Sequence, residues 1–272
     1  MSSPAQPPPA QAAPPLDNRW PMATSGLIAL CAAVFLVQVA VPETLWIRDQ
    51  CSFAPEPPDV SPLSEQFYLP PECSILGPWR FVVSAFFHAG ILHLAVNMFA
   101  LWVAGSLLEQ VLGRWRVLAV FVLSALGASV VVDLLPESYW TAGQVGASAG
   151  VMGLFGASFY FGHRPGLSAL GVSQPGVGGV IFTLFAIASF VWGSVPWQGH
   201  LGGLFLGLLL GGIYSAGRAL RMAKLDAVGT VVIFTSLVAI CLWYHGVTPA
   251  EWWDVLLRGG CVERAEVWTC YG

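Results

Sequence analysis

The sequence predicts an all-α protein that crosses a membrane several times. Of its 272 residues, 56% are hydrophobic and only 10% are charged, whereas a water-soluble domain normally carries about 25% charged residues. So little charge cannot cover a water-facing surface, which favours a polytopic membrane protein. Seven apolar segments near the ~20 residues that a bilayer requires are predicted spans: 24–41, 87–108, 115–134, 148–163, 176–194, 199–217 and 227–245.

The segments between and around these spans suggest four regions. Residues 1–20 are rich in Pro, Ala and Gln and predict a disordered tail, because such a composition cannot form a packed core. Residues 21–217 hold six spans and one long first loop, about 42–86. A further loop and the seventh span occupy 218–245, and a tail with two cysteines occupies 246–272. The first apolar run is too long for a typical signal peptide, so we expect an uncleaved span.

The distribution of Lys and Arg predicts how the chain is oriented. With seven alternating spans, seven basic residues fall on the side of the N-terminus: Arg19, Arg114, Arg116, Arg164, Arg218, Arg221 and Lys224. Four fall on the opposite side: Arg48, Arg80, Arg258 and Arg264. Because basic loops are retained in the cytoplasm, we expect a cytoplasmic N-terminus and an outer C-terminus, in a cell membrane (inner or plasma).

Four cysteines are predicted to lie on the outer side. Cys51 and Cys73 belong to the first loop, and Cys261 and Cys270 belong to the C-terminal tail. An oxidising outer compartment would allow disulfides there, and four cysteines permit three pairings. The sequence does not select among them.

Two polar residues share one face of the second predicted span. His93 and Asn97 are four residues apart, so they lie about 40° apart on a helix. Polar side chains are costly in a bilayer and are functional candidates there. The alternative is that the pair only joins helices by hydrogen bonds.

A small-residue motif from Gly146 to Gly150 opens the fourth predicted span, with Ser148 at its centre. A serine at a helix start is often only an N-cap. This span is short, however, so the preceding loop is expected to dip into the membrane, where irregular backbone lines a cavity or is buried in protein. Small neighbours such as Gly146 and Ala149 permit close approach of a substrate backbone, and the amide groups of the helix start can bind an anion.

The sixth predicted span carries His200 at the head of a glycine stripe. Gly203, Gly207 and Gly211 follow on the same helix face, and such a stripe permits helix packing at near-contact distance. The matching small residues Gly153 and Gly156 follow Ala149 on span four, so the two stripes are expected to bring Ser148 and His200 together. A metal or proton-relay role for His200 is the alternative, but no second ligand stands at metal-binding spacing.

Together these residues supply what a serine hydrolase needs. Ser148 would be the nucleophile and His200 the general base. His93, Asn97 and the Ser148 backbone N–H would stabilise the oxyanion. No acidic residue is an obvious third member: the nearest candidate, Asp133 at the end of span three, is expected to lie at the membrane boundary. We therefore predict a Ser–His dyad, with no metal and no organic cofactor.

Five motifs in order make the chain from about 79 to 211 resemble the rhomboid family of intramembrane serine proteases. They are Trp79-Arg80, the run from His88 through His93 to Asn97, Gly105-x-x-x-Glu109-x-x-x-Gly113, the motif around Ser148, and His200-x-x-Gly203-x-x-x-Gly207.

The resemblance implies a rhomboid-like six-helix core, plus a seventh C-terminal transmembrane helix, with its active site open to the outer side. It implies Ser148 and His200 as dyad and His93 and Asn97 as oxyanion residues. Substrates would be single-span membrane proteins, cut near the outer end of their span. Membrane lipid is the other expected partner, and the oligomeric state stays open. Ala149 replaces the family's usual glycine, which puts substrate preference in doubt.

Two residues in these motifs are expected to be structural. His88 would face about 140° away from His93 if both lay on one helix. Glu109 is expected to pin the cytoplasmic end of span two, with Gly105 and Gly113 allowing close packing.

Two other classes of protein fit the sequence less well. A rhomboid-like pseudoprotease that binds membrane clients would usually lack the serine or the histidine, and both are present. A transporter or channel would be expected to show more intramembrane charge and an internal repeat of broken helices.

Overall fold

The structure is a computed structural model that describes residues 20–40, 80–88, 90–134, 146–161, 180, 182, 184, 197–244, 261–264 and 267–270. Among these residues lie seven α-helices and two short strands. The helices are α1 (Met22–Ala40), α2 (Arg80–Val83), α3 (Ile91–Leu112), α4 (Arg114–Asp133), α5 (Ser148–Ser158), α6 (Trp197–Ala219) and α7 (Ala223–Tyr244).

Five of the described helices are long and apolar enough to cross a bilayer, namely α1, α3, α4, α6 and α7. Helix α5 is apolar but has only 11 residues. The all-α polytopic fold is therefore confirmed. The predicted fifth span, 176–194, lies outside the described residues except for three isolated positions, and so do the tail before residue 20, most of the loop 42–86 and most of the tail 246–272.

Helix α3 is displaced from the predicted second span, which was placed at 87–108. It starts at Ile91, because Gly90 is extended with φ 173°, and it continues to Leu112. Gly113 ends the helix with a φ of +81°, a left-handed conformation that glycine adopts without strain. A Cβ at Gly113 would meet nothing within 4 Å, so the expectation that Gly113 serves close packing was wrong.

The start of α1 is joined to the end of α3 by Glu109. Its carboxylate accepts hydrogen bonds from the backbone N–H of Ala23 (2.9 Å) and Thr24 (2.9 Å) and from the Thr24 hydroxyl (2.8 Å). The first N–H groups of a helix have no partner within the helix, and a negative charge there is favoured by the helix dipole. Glu109 thus caps α1, while Gly105 lets Thr24 approach α3 closely.

Helix α7 is attached to the rest of the bundle at this same end. Arg116 at the start of α4 forms a salt bridge of 2.6 Å with Asp226 in the first turn of α7. One turn further, the Tyr214 hydroxyl of α6 lies 2.8 Å from the Thr230 hydroxyl of α7. The end of the bundle that holds Glu109 therefore also holds the basic residues of α4.

Helix α5 lies inside the bundle, and all eleven of its residues are buried. On one side it packs against α4, where Phe121 lies against Gly150. On the other side it runs parallel to α6: Gly203 lies against Ala149, Gly207 against Gly153 and Gly211 against Ala157. A side chain at any of these three glycines of α6 would overlap the backbone of α5, so small residues allow this approach.

The two strands form an antiparallel hairpin in the C-terminal tail. Strand β1 spans Cys261–Arg264 and strand β2 spans Val267–Cys270. In their register Cys261 is the partner of Cys270.

We expect alanine to be tolerated at one glycine of the bundle and rejected at another. In Gly207→Ala the new methyl group would overlap the Gly153 backbone, and such overpacking costs about 1–3 kcal/mol. In Gly26→Ala the methyl would meet nothing within 4 Å, and alanine favours a helix over glycine by about 1 kcal/mol. Thermal unfolding in detergent should therefore show a lower Tm for the first variant and an unchanged or higher Tm for the second. Equal Tm values would contradict the close contact of α5 with α6.

Candidate active site

Ser148 and His200 are in direct contact. The Oγ atom of Ser148 lies 2.7 Å from Nε2 of His200, although the residues are 52 positions apart in sequence. Both side chains are buried, with exposed fractions of 8% and 7%. A His200 ring protonated at Nδ1 leaves Nε2 free to accept the serine hydroxyl hydrogen.

The glycine contacts between α5 and α6 hold the two residues together. Ser148 is the first residue of α5, and His200 lies in the first turn of α6. Ala149 faces Gly203, the seventh residue of α6, so at a rise of 1.5 Å per residue Ser148 lies about 7–8 Å along α6 from the start of that helix. Helix α5 is only about 16 Å long, roughly half of a bilayer core. Ser148 therefore lies further into the bundle than the first residue of α6.

Gly146 shapes the approach to α5. Its φ is +110°, and its N–H donates a hydrogen bond of 2.9 Å to the Ser84 carbonyl. A Cβ at this position would lie 2.7 Å from Cε1 of His93. A residue other than glycine is disfavoured here both by the backbone conformation and by the imidazole.

His93 and Asn97 lie on α3 at the same end of the bundle as Ser148. The His93 ring is against Gly146, two residues before Ser148. The amide of Asn97 donates to the His93 carbonyl of its own helix at 2.9 Å. Asn97 is 1% exposed, and its Oδ1 atom has no hydrogen-bond partner among the described residues. Its hydrogen-bonding capacity is thus only partly used.

The position expected for His88 was wrong. His88 precedes α3 and is not helical, since the helix begins only after Gly90. The helical-wheel separation of 140° from His93 therefore does not apply. Instead the two imidazoles are adjacent, with ring centroids 5.3 Å apart.

One polar residue near the site was missed by sequence reasoning. Gln38 lies in the last turn of α1, is 6% exposed and forms hydrogen bonds with the backbone of His88. The signal was a single amide in an otherwise apolar segment, the kind of residue that marks a function in a membrane span.

The arrangement contains the parts needed for attack on a carbonyl group. A hydroxyl lies beside a base, and the N–H groups of residues 148–150 at the start of α5 are among those without a partner inside their helix. An oxyanion forming beside Ser148 would meet these backbone donors.

The comparisons with known proteins agree on one family. The family model described as a rhomboid domain matches residues 77–217, slightly more than half of the chain. A rhomboid protease named AarA from Providencia stuartii is 28% identical over 193 residues, which cover 61% of this chain and 66% of the relative. The rhomboid protease GluP of Bacillus subtilis is 28% identical over 66% of this chain and 34% of its own length.

A mitochondrial RHOMBOID-like protein 6 from Arabidopsis thaliana is 31% identical over 49% of this chain and 42% of the relative. The chain therefore spans less than two thirds of the length of these curated relatives. The matched region nevertheless includes both Ser148 and His200. On the evidence of this domain, its motifs and its helices, the chain belongs to the rhomboid family.

Proposed function

We propose that the protein is an intramembrane serine endopeptidase. The observation that carries the proposal is the 2.7 Å contact between Ser148 Oγ and His200 Nε2. The two relatives named rhomboid proteases, GluP and AarA, support the same activity. A client-binding protein without catalysis would have no need of a buried serine paired with a histidine.

In the proposed reaction Ser148 attacks the carbonyl carbon of the scissile peptide bond. His200 takes the hydroxyl proton at Nε2 and returns it to the leaving amine. Water then attacks the acyl-enzyme ester while His200 takes a proton from it. The ester C–O bond breaks, His200 returns the proton to Ser148 Oγ, and the carboxylic acid product leaves. The dyad contains no carboxylate in this proposal, and the protein packing around His200, which is 7% exposed, holds its ring in place.

The oxyanion of the tetrahedral intermediate would form between α3 and the start of α5. Backbone N–H groups at Ser148 and Ala149 would donate to it, with His93 and Asn97 on the opposite side. Asn97 would have to exchange its present bond to the His93 carbonyl for one to the oxyanion. Preorganised donors of this kind act strongly because water is largely excluded.

The proposed substrates are single-span membrane proteins, cut near the outer end of their span. Arg116 and Arg218 lie at the end of the bundle opposite to Ser148: Arg116 pairs with Asp226, and Arg218 donates to the Val111 carbonyl. Since basic residues favour the cytoplasmic side, the site would open to the outside, the N-terminus would be cytoplasmic, and the C-terminus would lie outside. Ala149 is 2% exposed and packed on Gly203, so its methyl group would influence specificity mainly through the position of α5.

The proposed dyad is tested by cleavage of a model single-span substrate in proteoliposomes. We expect Ser148→Ala and His200→Ala each to lower kcat by at least about 10³-fold, because the nucleophile or its base is lost. Ser158→Ala is the matched control, since Ser158 is a buried serine of the same helix whose hydroxyl donates to the Phe155 carbonyl. It should retain activity. Cleavage at the wild-type rate by Ser148→Ala and His200→Ala would contradict the assignment of the catalytic dyad.

The proposed oxyanion residues are tested by a separation of kcat from KM. His93→Ala and Asn97→Ala should each lower kcat by about 10²-fold with little change in KM, because the lost bond is made only in the transition state. Ser106→Ala, at the far end of α3, removes a hydroxyl that donates to the Trp102 carbonyl and should change neither constant. A rise in KM with an unchanged kcat would show that these residues bind substrate instead.

A further inference from the structure

Gln38 is a buried amide in the hydrocarbon-spanning part of α1. Its side chain is 6% exposed, and it lies two residues before the end of the helix. Burying an amide without hydrogen bonds costs several kcal/mol in an apolar medium. A residue of this kind is expected to have a specific partner.

The partner is the backbone of one residue, His88. The Gln38 Oε1 atom accepts from the His88 N–H at 3.1 Å, and the Gln38 Nε2 atom lies 3.4 Å from the His88 carbonyl oxygen. His88 stands between the 3₁₀ turn Ser84–Phe86 and α3, outside both. Buried backbone groups without a helical partner must be satisfied by another element. Gln38 supplies both missing partners from α1.

The segment that Gln38 holds contacts the site in two places. The His88 ring packs in a tilted arrangement against the His93 ring, with centroids 5.3 Å apart, and the His93 imidazole lies over Gly146. At the other end of the segment, the Ser84 carbonyl accepts the N–H of Gly146. Residues 84–88 therefore bridge α1 to both the His93 imidazole and Gly146, which lies two residues before Ser148.

We propose that Gln38 is a positioning residue for the reaction: by fixing the His88 backbone, it fixes the His93 imidazole over Gly146 and beside the oxyanion. This inference rests on the proposed protease function. Gln38 touches neither substrate nor the reacting atoms, so its effect is on the geometry of the transition-state donors. A loss of kcat with KM preserved is the expected signature.

Gln38→Met is the first test, because methionine has a similar length and makes no such hydrogen bonds. Its kcat should fall about tenfold with KM within twofold of wild type. The rate is expressed per active site, counted by fluorophosphonate labelling of Ser148, so that unfolded protein does not contribute. Ser25→Ala is the matched control on α1, since the Ser25 hydroxyl has no partner among the described residues. It should leave kcat unchanged.

Gln38→Glu is the second test and separates positioning from packing. A neutral carboxyl group can accept from the His88 N–H and donate to its carbonyl, whereas an ionised carboxylate can only accept. The ratio of its kcat to that of wild type should be near one at low pH and should fall as pH rises. Both proteins share His88, His93 and His200, so the ratio removes the titration of those groups.

These experiments distinguish a failure of the proposed role of Gln38 from a failure of the proposed protease function. If wild type neither cleaves nor labels at Ser148, the protease assignment fails. If wild type does both, an unchanged kcat per active site in Gln38→Met overturns the role of Gln38. A ratio for Gln38→Glu that stays well below one at low pH, where the carboxyl group is neutral and can make both bonds, overturns it as well.

The register of the hairpin carries a second inference, independent of the proposed function. Cys261 and Cys270 are directly paired on antiparallel strands. Opposed residues in such a pair have Cα atoms about 4.5–5.5 Å apart, within the range of about 4.4–6.8 Å that a disulfide spans. An isolated two-stranded hairpin is also marginal in water, so a covalent link would hold it closed.

We infer that Cys261 and Cys270 form a disulfide. The two thiols would lose two protons and two electrons to the disulfide of a thiol oxidoreductase, which is reduced to two thiols. The S–S bond then joins β1 to β2. The reaction requires the tail to lie on an oxidising side of the membrane.

Trypsin tests this pairing because Arg264 lies between the two cysteines. The full chain is purified without reductant after free thiols are blocked, and it is then digested. Cleavage after Arg258 and Arg264 should give the peptide 259–264 linked to the peptide that starts at residue 265, and reduction should separate them. The double variant Cys51→Ser with Cys73→Ser should keep this linked species. Two blocked thiols, or a link from either peptide to Cys51 or Cys73, would overturn the inference.

Discussion

The backbone contact between α5 and α6 is the constraint on which the rest of the structure depends. A serine and a histidine 52 residues apart form a 2.7 Å hydrogen bond only because two helices approach with no side chains between them. In a membrane there is little hydrophobic driving force between helices, so close packing must supply the association. Together with the packing of α4 on the other side of α5, this contact buries α5 completely. A short helix can therefore start within the depth of the bilayer without exposing its first N–H groups to lipid.

Several polar groups in the rest of the bundle are satisfied across elements that are distant in sequence. Glu109 caps α1 from the end of α3, and Arg116 pairs with Asp226 between α4 and α7. At the opposite end, Gln38 serves the backbone before α3. These bonds fasten the outer helices to the central ones at both ends, while apolar contacts occupy the middle. The arrangement follows from the high cost of an unpaired polar group in hydrocarbon.

The sequence predicted the contacts best where small residues recur at helical spacing within one segment. The glycine stripe after His200 and the small residues after Ser148 predicted which helix faces would meet, because their spacing follows the helical period. It was least informative where the partner lies on another element. Nothing in the sequence identified Glu109 as the cap of α1 or Gln38 as the partner of His88. The error at His88 came from extending a helix through Gly90, whose extended backbone ends the periodicity that the helical wheel assumes.

The small-residue stripes also pose a problem of register. Because Ala149, Gly153 and Ala157 face Gly203, Gly207 and Gly211 at regular four-residue intervals, sliding α5 by one repeat along α6 would meet nearly the same smooth surface. That slip would carry Ser148 about 6 Å from His200. The repeat alone therefore does not distinguish one register of α5 on α6 from the next. Contacts that do not repeat must select the alignment, and bulky side chains provide them: Phe121 against Gly150 for α5, and Leu206 against Gly127 for α6. Helix α4 thus sets the register in which α5 packs against α6.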